Sequence, residues 1–216
     1  IYPARIEAYD ISNIGSEHMR CGMIVMADGK FKRGDYRSFA IRGVAETDDY
    51  AAMSEAISRR LARLGESAGS FSELPDLILL DGGRGHVSTI RRLLEEKGLE
   101  IPVFGMVKDE HHKTRALCTD TGEINIAKER QVFMLIYRIQ EEVHRFTSSK
   151  TEKAKRKTLK KSSLTEIPGI GEKKAKLLLG HFGGLMAIKK AGVDDIAAVK
   201  GISKRDAEAV YNYFHK

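Results

Sequence analysis

ELPDLILLDGGRGHVSTIRRLLEEKG, residues 73–98, contains two periodicities joined by a glycine turn. Leu77-Ile78-Leu79-Leu80 is a short continuous apolar run behind a proline, the pattern of a strand buried on both faces of a sheet. From Arg84 the period becomes helical, with Val87, Ile90, Leu93 and Leu94 on one side. Between the two stand Asp81, Gly82 and Gly83. A buried strand therefore delivers a carboxylate to its C-terminal edge, where glycines allow a tight turn and the close approach of a ligand. Open α/β sheets bind ligands at that edge. An aspartate in this place can equally cap the following helix, so the stretch alone leaves both roles open.

Upstream, Arg5–Ile11 alternates so that Ile6, Ala8 and Asp10 share a face. This is a second strand with a carboxylate at a core position, which is costly unless the carboxylate has a partner or a metal. Ser12–Arg20 reads as a loop. Gly22–Met26 and Lys30–Ile41 read as two strands joined by Asp28-Gly29, a dipeptide suited to a tight hairpin turn. Arg33, Arg37 and Arg42 on the second suit a solvated face. Thr47–Leu64 is helical, with Thr47 as N-cap, Asp48 and Asp49 at its positive end, and Ala52, Ala56, Ile57, Leu61 and Leu64 as the buried stripe. A polar loop, Gly65–Ser72, leads into the organising strand.

Downstream, Pro102–Val107 reads as a further buried strand ending near Lys108. Asp109–Glu123 looks like an exposed excursion with a candidate hairpin around Asp120-Thr121-Gly122. Gln131–Ser148 returns to a helix, with Val132, Leu135, Ile136, Ile139, Val143 and Phe146 on one side and His144 at the edge of that stripe.

A length of 216 residues allows one large or two ordinary domains, and the 42% apolar fraction supports a real core. No run of 18 apolar residues suggests a membrane span. No secretory signal pattern opens the chain, and a start at Ile1 suggests a fragment of something longer. Cys21 and Cys118 lie far apart, which supports neither a disulfide framework nor a zinc site. A reducing, cytoplasmic location is expected. The net charge of +7 is uneven: residues 1–149 hold 21 Lys+Arg against 23 Asp+Glu, and residues 150–216 hold 16 against 7. A near-neutral body with a basic tail points to a nucleic-acid partner contacted through phosphates.

Lys150–Lys161, KTEKAKRKTLKK, has seven basic residues in twelve and reads as a linker or a frayed helical extension. Beyond it, LTEIPGIGEKKAKLLLGHF (164–182) and IAAVKGISKRDAEAVYNYF (196–214) align at a period of 32. Each copy is an apolar turn, a glycine-containing hairpin (Pro168–Gly171; Lys200–Ser203) and an amphipathic helix. Free N–H groups at a helix start bind phosphate. Candidate DNA-binding residues are therefore Gly169, Gly171, Lys173 and Lys174 in the first copy, and Gly201, Ser203, Lys204 and Arg205 in the second. The pattern resembles a tandem helix-hairpin-helix module, which grips the DNA backbone without reading sequence.

Asp10, Asp81 and His144 are the candidate catalytic and metal-ligating residues. Carboxylates with phosphate oxygens and water suit Mg²⁺, and an added imidazole is better accepted by Mn²⁺. Two such ions roughly 4 Å apart activate water and stabilise a leaving oxygen. Three strands, helix, strand, helix, strand, helix is the order of the RNase H fold. The expected architecture is thus an α/β (α+β) RNase H-like domain, a mixed five-stranded sheet flanked by helices, over residues 1–150. A basic linker (151–162) and an all-α tandem helix-hairpin-helix domain (163–216) follow.

RIEAYDIS, TDDYAAMSEAISRR, PDLILLDGGRGH, EEVHRF and the PGIG…KGIS tail, in that order, resemble the C-terminal half of the UvrC family, the incision subunit of the bacterial nucleotide excision repair nuclease. The resemblance implies an Asp-Asp-His nuclease site at Asp10, Asp81 and His144 that makes the 5′ incision beside a DNA lesion. It adds Asp49 and Lys108 as supporting residues. Damaged double-stranded DNA and junction or unpaired DNA are the implied partners. UvrB is another, bound by the full-length protein through a segment absent from this chain, as is the GIY-YIG nuclease that makes the 3′ cut. The family's first-strand motif often runs DISH, whereas here Asn13 stands in place of the histidine, so no role is assigned there. The alternative is a non-catalytic DNA-binding scaffold, which would have no need of two aspartates on buried strands. A helix-hairpin-helix glycosylase would need a longer helical body, and no Gly-Lys-Ser/Thr P-loop is present.

Overall fold

The computed structural model describes residues 2–13, 19–42, 48–65, 71–108 and 114–215, without the side chains of residues 115 and 156–162. It divides into two compact units, Ile1–Glu152 and Lys153–Lys216.

The first unit is built on a mixed sheet in the order β3-β2-β1-β5-β6-β7-β8, with β4 also paired to β2. Its strands are β1 (Arg5–Ser12), β2 (Arg20–Ala27), β3 (Lys30–Phe31), β4 (Arg37–Ala40), β5 (Leu77–Leu80), β6 (Val103–Lys108), β7 (Thr114–Cys118) and β8 (Glu123–Asn125). Among the described residues eight strands replace the expected five, for two reasons. Lys30–Ile41 is broken by a 3₁₀ turn at Arg33–Asp35, and the excursion after Lys108 folds back as β7 and β8 onto the edge of β6. The Asp28-Gly29 turn joins β2 to β3 with both residues at positive φ, as a twist-matched two-residue hairpin requires.

Strands β1, β5 and β6 run parallel at the centre, each buried on both faces. On one face Tyr9, Met23, Ile78 and Leu80 pack with Met53, Ala56 and Ile57 of α1 (Asp49–Leu61) and with Val87, Ile90 and Leu94 of α2 (Arg84–Glu96). On the other, Ile6, Ala8, Ile24, Leu79 and Met106 pack with Ile136, Ile139 and Val143 of α3 (Arg130–Thr165). Val132, expected in that stripe, is exposed. The N-cap of α1 is Asp48, which accepts from the Ala51 N–H; Thr47 lies outside the described residues, as do parts of the two loops expected at 12–20 and 65–72 and most of HHKT (111–114).

Charge also enters this core. Glu7 of β1 and Arg60 of α1 are both fully buried and joined at 2.7 Å. Tyr9 Oη donates to Glu7 at 2.7 Å, and Arg60 also donates to the carbonyls of Phe71 and Glu73. The apolar stripe read for α1 passes over Arg60, because a charged residue registers as surface until its buried partner is known.

The second unit closes on its own core, including Leu164, Ile167, Ile170, Leu178, Ile188, Ile196, Val199, Ile202 and Val210. Its helices after α3 are α4 (Glu172–Phe182), α5 (Leu185–Lys190), α6 (Val193–Ala197) and α7 (Lys204–Phe214). The helix α3 runs unbroken through the basic stretch 150–161. No helix among the described residues is long and apolar enough to cross a membrane.

Candidate active site

Strand alternation decides which side chains meet. Ile6, Ala8 and Asp10 of β1 share the face that carries Leu79 and, two residues on, Asp81. The ladder pairs Tyr9 with Leu80, and the Asp81 N–H donates to the Tyr9 carbonyl at 2.8 Å. The two aspartates therefore emerge side by side at the C-terminal ends of adjacent parallel strands. Asp81 does not cap α2: the N-cap is Gly83, with no side-chain hydrogen bond to the helix start. The carboxylate is held elsewhere, by Lys108 Nζ at 2.8 Å on Oδ2 and by Gln140 Nε2 at 2.8 Å on Oδ1.

Helix α3 supplies the third group. His144 Nδ1 lies 3.4 Å from Asp10 Oδ2 and 3.8 Å from Asp81 Oδ2. One ligand atom from each of Asp10, Asp81 and His144 lies within 4.8 Å of the others. This closeness depends on Gly22, the partner of Asp10 in the β1–β2 ladder. A Cβ at Gly22 would stand 2.1 Å from Thr147 Oγ1, so only glycine lets α3 settle one turn beyond His144 directly onto β2.

Asp10 is 4% exposed, and its Oδ2 is a buried oxygen without a hydrogen-bond partner among the described residues. Burial pushes the Asp10 carboxyl up from its usual range, and the negative Asp81 adds to this while His144 opposes it. The His144 imidazole is pushed up by Asp10, against the opposing effect of its own partial burial. Two carboxylates, one with an oxygen that has no hydrogen-bond donor among the described residues, and an imidazole form a donor set that fits a hard divalent cation.

Of the other expected residues, Lys108 reaches the site through Asp81. Asp49 is not in the converging group; it accepts from Asn13 Nδ2 at 3.0 Å. Its neighbourhood includes His86, whose imidazole is pushed down by burial despite the nearby Asp49 and Asp81. Gln140 escaped the sequence reading. The available signal was its place one turn before His144, on a helix whose neighbouring positions Ile139 and Val143 are core.

In the second unit the two hairpins take the positive φ that only glycine accepts freely, 87° at Gly169 and 95° at Gly201. Helix α4 starts at Gly171 without a side-chain cap, with Lys173 exposed just inside it. Lys204 and Arg205 are exposed at the start of α7. Two of the expected DNA-binding residues also have partners within the unit. Lys174 is turned inward, donating to the Gly169 carbonyl at 3.1 Å and to Asp206 at 2.7 Å. Ser203 is engaged in a capping box, its N–H and hydroxyl both donating to Asp206.

A mixed sheet covered by helices, with two aspartates at neighbouring strand ends and a histidine from the last long helix, is of the RNase H-like class. The UvrC RNAse H endonuclease domain matches residues 1–147, and the SAM-like helix-hairpin-helix tandem matches residues 161–216. The chain belongs to the UvrC family. UvrABC system protein C of Acetivibrio thermocellus is 42% identical over 229 residues, covering 99% of this chain and 37% of that protein. The protein of the same description from Thermoanaerobacter sp. is 44% identical, covering 100% of this chain and 37% of its own length. The chain thus spans well under half the length of these curated relatives. Among solved structures, human ENDOV is similar at a TM-score of 0.43 and 11% identity, over 73% of this chain and 86% of that one.

Proposed function

We propose that the first unit is a divalent-metal-dependent DNA endonuclease making the 5′ incision beside a lesion in nucleotide excision repair, and that the second grips DNA through its phosphates. The observation that carries this reading is Asp10 Oδ2, a buried carboxylate oxygen without a donor among the described residues, beside a second carboxylate and an imidazole. A buried charge in that condition is tolerated where a cation completes it. Asp10 and Asp81 would hold Mg²⁺ or Mn²⁺, with His144 as a third ligand or as the group that moves a proton at the attacking water or leaving oxygen. When bound, the ion supplies charge for the developing phosphorane and acidity for water. Lys108 balances the charge of Asp81 and holds its orientation. Asp49 acts in support at the start of α1.

In this reading residues 1–150 are the nuclease domain, 151–162 the basic connection, and 163–216 the DNA grip, in which Gly169, Gly171, Gly201, Lys173, Lys204 and Arg205 meet the backbone. Damaged duplex and junction or unpaired DNA are the substrates, and UvrB is a partner of the longer protein. The test is Asp10→Asn and Asp81→Asn in a full-length family member. Each should abolish the 5′ incision and leave DNA binding and the 3′ incision intact. A 5′ cut at the normal rate by the Asp81→Asn protein would remove the site from contention.

A further inference from the structure

Gln140 is 1% exposed, and among the described residues its side chain makes three hydrogen bonds. Its Nε2 donates to Asp81 Oδ1 at 2.8 Å and to the Met106 carbonyl at 3.1 Å. Its Oε1 accepts from the Thr114 hydroxyl. The amide has only one workable orientation. Asp81 and Met106 offer acceptors alone, so the NH₂ must face them, and the hydroxyl must then donate to the carbonyl oxygen.

Thr114 is there because of a β-bulge. Pairing between β6 and β7 slips after Val107, so that Lys108 stands opposite Thr114 and residue 115 is skipped. Without the bulge, residue 115 would face Lys108 and Thr114 would turn to the opposite side of the sheet. The bulge thus aims Thr114 at the face shared by Lys108, Asp81 and α3.

From this geometry, and resting on the metal-site reading above, we infer that Gln140 is a positioning residue for Asp81, and that Thr114 acts through it by fixing the face its amide presents. Lys108 takes Asp81 Oδ2 and Gln140 takes Oδ1, so the carboxylate is pinned at both oxygens. Oδ2, the oxygen 3.8 Å from His144, stays directed at the site. An amide does this without adding a positive charge that would compete with a cation for Asp81. The β7–β8 addition to the sheet becomes, through Thr114, part of the site's support.

The experiment is Mn²⁺ titration of the intact 216-residue chain, followed by the resonance of free Mn²⁺, with a thermal melt of each variant. The wild type should bind and Asp81→Asn should not. Gln140→Met, similar in volume, should weaken binding about tenfold, as loss of an outer support of a metal ligand does. Thr114→Val should weaken it by a smaller factor. The double variant should be no weaker than Gln140→Met, because Thr114 works through Gln140. A purely structural role would lower the melting temperature and leave Mn²⁺ affinity at the wild-type value. That result for folded Gln140→Met, or additive losses in the double variant, overturns the inference. If Gln140→Met does not fold, Thr114→Val decides, and unchanged affinity overturns the inference. Equal binding by wild type and Asp81→Asn would instead bring down the metal-site reading, and this inference with it.

Discussion

Lys174 and Asp206 occupy the same position in the two copies of the 32-residue repeat, and their side chains meet at 2.7 Å. Each also closes its own hairpin, Lys174 on the Gly169 carbonyl and Asp206 on Ser203. A repeat with identical residues here would set like charges against each other, so the opposite charges make the two copies complementary.

This divides the basic residues of the tail into two kinds. Lys204→Ala and Arg205→Ala should each reduce the slope of log K against log salt for duplex binding by about 1, the loss of one phosphate contact. Lys174→Met should leave that slope unchanged and lower the melting temperature of the tail. Fluorescence anisotropy over a salt series measures the slope, and a steeper loss for Lys174→Met than for Lys204→Ala would reverse the assignment.

The same pair sets an acid limit. Lys174 and Ser203 hold the Asp206 carboxyl down at about 2, below the ordinary range near 3.9. The carboxyl therefore favours the folded state above that range, and its contribution fades as pH falls toward 2. Wild type should outlast Asp206→Asn in urea at pH 5, with the gap closing by pH 2. An equal gap at both pH values would contradict this.

Gly22→Ala should destabilise the first unit by about 1–3 kcal/mol, the usual cost of overpacking. Its Cβ would strike Thr147 Oγ1 and lift α3 from β2. Thr147→Ala in the same chain should recover part of the loss in urea denaturation. Costs that simply add would show that α3 does not rest on this glycine.

Arg60→Met should cost about 1–3 kcal/mol, because it removes one of the two guanidinium groups, with that of Arg5, that hold the buried Glu7 carboxylate. Replacing both, as Glu7→Leu with Arg60→Met, should lie nearer to wild type than the single change. Chemical denaturation of the three variants checks the order.

Limited trypsin digestion should cut first between Lys150 and Lys161. That stretch is helical, but its sequence, seven basic residues and Leu159 as the one large apolar residue, gives it little with which to resist local opening. Initial cleavage within 74–107 would argue against the division of the chain.

Much of this protein is legible in one dimension because its signals are local. The apolar run at 77–80, the alternation through Asp10 and the 32-residue repeat each follow from the period of a strand, a helix or a hairpin. The convergence of Asp10 and Asp81 follows from parity, since parallel neighbours place carboxylates of matching register on one face. Tertiary structure alone decided what depends on partners far apart in the chain. Whether Asp81 capped a helix or faced a site turned on Lys108 and Gln140, 27 and 59 residues away. Nothing local marks Glu7 and Arg60 as buried, since their pairing spans 53 residues. Lys174 reads as one more basic residue of the tail, and only the fold shows Asp206 placed against it. A charged side chain carries no local mark of its partner, so packing alone fixes its role.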